Sequence, residues 1–167
     1  MAQNISDLGL LNELEHSLAE LFKLYILHID ILKIFQDKFF SICKKKNDIH
    51  LSINIADKLS NYAWGKCVSL ENMLTKIKYD IEDNNDMRDN LQISLDQVQL
   101  DFDKAVVHEE KVNQIVNNLK REYNTASKNV DLLICCMDYL GERVKIILNK
   151  KDSLNSHIAW IRMKYIH

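Results

Sequence analysis

Residues 21–40 read LFKLYILHIDILKIFQDKFF, and the fold turns on how this stretch is read. Within a helical run expected over about residues 7–46, Leu11, Leu14, Leu18, Leu21, Tyr25, Leu32, Phe35, Phe39 and Ile42 advance by alternating steps of three and four, broken only by His28. That spacing is a heptad seam. A second apolar set, Phe22, Ile26, Ile29, Ile31, Ile34 and Phe40, lies off the seam, so the middle of the helix is apolar nearly all round. Such a helix does not sit on a surface. It needs cover on two sides, one from the chain's own helices and the other from a second copy or a partner chain.

The composition agrees with an all-α chain. At 167 residues with 47% hydrophobic content, it suits one domain with a real core. It has no proline and only three glycines, whereas hairpins and α/β loops need such punctuation. No segment has the order of a signal peptide, and Glu20, Lys23, Asp30 and Lys33 interrupt the most apolar run, so the expectation is a soluble, cytoplasmic protein. Cys43, Cys67, Cys135 and Cys136 show no CxxC spacing. Buried, reduced thiols are expected from them rather than a disulfide or a metal site.

Ser6 or Asp7 offers an N-cap for the first helix, and Lys44, Lys45 and Lys46 mark its far end, where cations favour the dipole. Asn47 to His50 reads as a tight turn. The second helix then carries Ala56, Leu59, Ala63, Cys67, Leu70, Leu74, Ile77 and Ile81, with one extra residue between Ala63 and Cys67, a stutter beside Gly65. Across the polar run Glu82 to Asn90 the same phase resumes at Leu91, Leu95, Val98, Phe102 and Ala105, which predicts a kinked or solvated continuous helix there. The alternation then runs through Val112, Val116, Leu119, Tyr123, Ala126, Val130 and onward to Tyr165, interrupted by Glu109 and Lys151. The weakened seam at His108 to Lys111 places a second turn there.

The expected architecture is therefore three long antiparallel helices, over about residues 7–46, 50–107 and 111–167, in a single coiled-coil domain spanning 1–167. Off-seam Leu132, Ile134, Cys135, Tyr139, Ile146 and Leu148 repeat in the third helix what the first shows. These two doubly apolar segments belong at the centre of a homodimer, with Phe22, Ile26, Ile29, Ile34, Phe40, Leu132, Ile134 and Tyr139 at its interface. Leu91 to Leu119, with one seam and polar flanks, suits a two-helix projection into solvent.

A shorter first helix, two longer helices and a dimerising centre make the plan of a BAR domain. The runs ELEHSLAELFKLY from Glu13, QDKFF from Gln36 and NIADKLSNYAWGKCVSLENMLTKI from Asn54 resemble the first two helices of the Chibby-interacting BAR-domain family. The similarity is best over residues 13–81. MRDNLQ from Met87 is also similar to the arm of sorting-nexin BAR domains. The resemblance implies a homodimeric crescent that binds and bends membranes. It also implies recruitment by a small coiled-coil adaptor at the ciliary base. This chain departs from the pattern in its shorter arm and earlier end.

Net charge is only -2, which advertises neither a nucleic-acid nor a membrane binder. Its distribution is uneven: residues 50–112 hold twelve acidic and seven basic side chains, residues 113–167 five acidic and nine basic. Arg121 and Lys128 lie seven apart opposite the seam, flanked by Lys120, Arg143, Lys145 and Lys150. Across a dimer these six would contact anionic headgroups at about 1 kcal/mol each; as an ordinary solvated face they would do nothing. His28 is a pH switch or a satisfied core histidine, and Trp64 and Trp160 are membrane wedges or side chains buried by their helical pattern. No nucleophile with a base, phosphate loop or metal spacing is present, so neither catalysis nor a cofactor is expected. Two functions remain open: a BAR-like dimer on anionic membranes, and a coiled-coil subunit of a tethering or cytoskeletal assembly.

Overall fold

The computed structural model describes residues 2–83 and 88–166, with side chains over 9–83 and 88–164. Two α-helices account for all of them: α1, Ala2–Asp83, and α2, Arg88–Ile166. The described residues are all-α as expected, but they form two helices where three were predicted.

Neither predicted turn is present. α1 passes unbroken through Asn47–His50, because Ile49 and Ile53 are both buried and carry the seam across that stretch. α2 passes unbroken through His108–Lys111, because Glu109 is half-buried and partnered rather than a break. α1 instead ends at Asp83 and α2 begins at Arg88. Residues 84–87 lie outside the described residues, so the continuous helix expected over Glu82 to Asn90 is described only as far as the two ends. Ser6 and Asp7 fall inside α1, and Lys44 to Lys46 lie in its middle, so neither acts at a helix end.

The chain divides into two compact units, one formed by Met1–Cys43 with Lys128–His167 and the other by Lys44–Ser127. In the second unit, Lys46 stands 5.1 Å from the Tyr123 ring centre, Asp57 pairs with Lys120 at 3.3 Å, and Ser60 bonds Asn113 at 2.6 Å. Partner numbers on α2 fall as those on α1 rise, which is antiparallel pairing. Its core is Ile49, Ile53, Ala56, Ala63, Cys67 and Leu74 against Ala105, Val112, Val116 and Ala126.

The α1 seam here is a strict heptad without the predicted stutter. Ile42, Lys46, Ile49, Ile53, Ala56, Ser60, Ala63, Cys67, Leu70 and Leu74 alternate by four and three, and every one is buried or half-buried. Leu59, expected in the seam, is 52% exposed. The polar side chains of Lys46 and Ser60 hid the true register. Gly65 faces open space, with nothing within 4 Å of where its Cβ would be, so it marks no irregularity. The flanks of this unit are not wholly polar, since Ile93, Leu100 and Val107 stand exposed at seven-residue spacing.

In the first unit the buried side chains are Val130, Ile147, Ile158 and Ile161, all on α2. Glu15 and Arg162 join the two helices at 2.7 Å. From Gly9 to Cys43, no side chain is buried. The most apolar stretch of the chain thus presents its seam half-covered and its flanks open.

Candidate interaction surface

Heptad spacing sorts the open side chains of the first unit onto two flanks of one seam. Glu15, Phe22, Ile29 and Cys43 recur at seven-residue spacing or its multiples along one edge of α1, as Ile134, Leu148 and Arg162 do along α2. The Glu15–Arg162 ion pair shows that these two edges meet. Phe22, Ile26, Ile29, Phe40 and Ile134 therefore belong to this first flank. Ile29 is half-buried and the others are exposed, Phe40 at 69%.

The second flank lies across the seam. Ile31 and Phe35 of α1 line an open, almost wholly apolar groove of about 420 Å³ with Cys135, Cys136, Tyr139 and Leu140 of α2. Leu24, Leu27 and Ile34 continue this flank along α1, and Leu132 and Ile146 along α2. Leu27 is 53% exposed and Tyr139 65%. The eight predicted interface residues are thus exposed or half-exposed but do not form one face: Ile34, Leu132 and Tyr139 are separated by the seam from the other five. Leu24 and Leu27 escaped the sequence reading, although their three- and four-residue steps to Ile31 and Ile34 signalled them.

The six predicted headgroup contacts also separate. Lys120 is committed to Asp57 across the second unit, and Lys145 to Glu142 at 2.6 Å, a contact that raises the Lys145 ammonium above its ordinary value. Among the described residues, Arg121, Lys128, Arg143 and Lys150 are exposed and form no ion pair. Arg121 belongs with Lys120 to the second unit and the rest to the first. Arg143 and Lys150 share the seven-residue spacing of Cys136 and so rim the second flank.

The polar seam positions are satisfied locally. His28 is half-buried, and its Nδ1 donates to the Leu24 carbonyl at 2.8 Å. Ser60 Oγ donates to Asn113 Oδ1, and Asn113 Nδ2 donates to Glu109 Oε1 at 3.4 Å. Burial first, and then the Glu109 carboxylate beside it, push the Cys67 thiol above its ordinary range. Cys67 alone of the four cysteines is buried; Cys135 is exposed and Cys43 and Cys136 are half-buried, against the expectation of four buried thiols. The adjacent pair sits on the open side of α2, where solvent reaches it. Trp64 and Trp160 are each 60% exposed, so neither is buried by its helical pattern.

No family model, curated protein or solved structure matches this chain. Its surface has to be read from its own chemistry. Among the described residues no cluster of three or more His, Cys, Asp or Glu is placed to hold a metal. Among the same described residues no helix is long and apolar enough to cross a membrane. What the geometry offers is a helix pair with two apolar flanks and a set of uncommitted cations.

Proposed function

We propose that the chain acts without catalysis, as a BAR-like homodimeric helical scaffold at the cytoplasmic surface of anionic membranes. The observation that carries this reading is that no side chain from Gly9 to Cys43 is buried, although the stretch is the most apolar in the chain. Soluble monomers rarely leave large contiguous apolar patches in water, and a second copy is the simplest cover. Arg121, Lys128, Arg143 and Lys150 are the cations left to meet headgroups, and each adds about 1 kcal/mol near an anionic surface.

The test is sedimentation of the purified chain together with co-sedimentation on vesicles containing phosphatidylserine. A dimer that pellets with anionic but not neutral vesicles is expected. Arg121→Glu with Lys128→Glu should weaken binding to these vesicles by at least about thirtyfold, since two contacts of about 1 kcal/mol are lost and reversed on each protomer. A monomer in dilute solution, or undiminished pelleting of the double variant, would overturn the reading or its lipid half respectively.

One observation favours a second reading, a coiled-coil subunit of a multiprotein assembly with no lipid contact. The apolar residues occupy two flanks, and one additional copy laid on one flank leaves the other open. A chain that aggregates alone and is solubilised only by a different protein would support it.

A further inference from the structure

The second flank of α1 reads, in order along its face, Glu20, Leu24, Leu27, Ile31, Ile34, Lys38. Laid antiparallel on a second copy of itself about a two-fold axis between Leu27 and Ile31, the series is self-complementary. Leu27 meets the partner's Ile31, Leu24 meets the partner's Ile34, and Glu20 meets the partner's Lys38. Beyond these, Ser17 meets the partner's Ser41. We propose that the homodimer forms through this flank, in this register, with the Glu20–Lys38 pairs closing both ends of an apolar centre. The proposal rests on the homodimer reading above and adds to it the face and the register.

Three features of the molecule carry the choice. Leu24, Leu27 and Ile34 are 45%, 53% and 53% exposed, so the centre is open to a partner. Glu20 holds only the exposed neighbour Lys23, at 2.7 Å, and Lys38 forms no ion pair among the described residues. An isologous contact needs each patch to match itself reversed, and the α1 series does so. The open groove carries the apolar centre from Ile31 and Phe35 onto α2, where Cys135, Cys136, Tyr139 and Leu140 line it.

The first flank matches itself less well. Reversed about Ile29, it sets Ile26 against Lys33 and Phe22 against Gln36; reversed about Ile26, it sets Phe40 against Asn12. Apolar against polar at these rungs buries nothing.

Charge exchange in the full-length chain tests the register. Glu20→Lys alone faces the partner's Lys38 with like charge at both ends of the interface, and Lys38→Glu alone faces Glu20 in the same way. Each should raise the dimer dissociation constant by about tenfold. An equimolar mixture of the two variants should restore the native value as a heterodimer, because every end then joins opposite charges. Both positions are exposed, so helix content by circular dichroism should not change. A mixture no tighter than the single variants would overturn the register. If both variants dimerise as the native chain does while Phe40→Glu abolishes dimerisation, the contact lies on the first flank and the proposal fails alone. A monomeric native chain would remove the dimer itself.

Discussion

Cys67 is 7% exposed in a seam made by two helices, with Glu109 beside its sulfur. Both push its ionisation upward, and the direction has a consequence for stability. A thiol that is harder to ionise folded than unfolded leaves stability untouched below its ordinary range, near pH 8.5. It withdraws stability as the pH rises past that value, because the unfolded chain gives up its proton first. Alkylation followed by mass spectrometry should therefore modify exposed Cys135 first and Cys67 last. Glu109→Gln removes the carboxylate's contribution and should speed labelling of Cys67 at pH 8, with Cys135 unchanged. Equal native rates at the two cysteines would show that the seam is open at Cys67. Glu109 interrupts the apolar pattern, and from the sequence that interruption reads as a turn. Its acceptance of an Asn113 hydrogen bond from one turn along α2 depends on side-chain placement that no linear pattern states.

At the level of the helix, the α2 seam from Leu91 to Ile161 was fully legible, because only Glu109 and Lys151 depart from an apolar three-and-four rhythm. α1 was legible to Ile42 and then misread. Lys46 and Ser60 occupy seam positions with polar heads, one against the Tyr123 ring and the other bonded to Asn113, so counting apolar residues alone slipped onto Leu59. The two seams make different predictions. In the strict heptad Ile53→Ala empties a buried site and should cost at least about 2 kcal/mol in urea unfolding. Leu59→Ala, on an exposed position, should cost under about 0.5 kcal/mol. The reverse ranking would restore the stutter. The reversal point was misplaced for a related reason: heptad phase carries across residues 81–91 without slippage, yet each helix sets its own seam, so matched phase does not require one continuous helix.

For the whole molecule, the all-helical class followed from absent proline and scarce glycine, while the pairing of segments did not, since three helices and two share the same periodicity. The flanks separate the two proposed activities by their response to salt. Exposed cations on lipid are screened over about 10 Å at 0.1 M salt and far more at 0.5 M, whereas the apolar centre of a dimer is not. Raising sodium chloride across that range should release the chain from vesicles while its sedimentation coefficient stays that of a dimer; simultaneous loss of both would place the cations at the protein contact. The antiparallel plan also orders events during synthesis. Glu15 meets a residue 147 positions later, whereas Ser60 meets one only 53 positions later. At about 5–20 residues per second, a ribosome needs on the order of ten seconds to make residues 44–127 before any of 128–167 exists. For that interval the greasiest part of α1 has no mate of its own chain, and a nascent neighbour on the same messenger is the nearest surface able to shelter it.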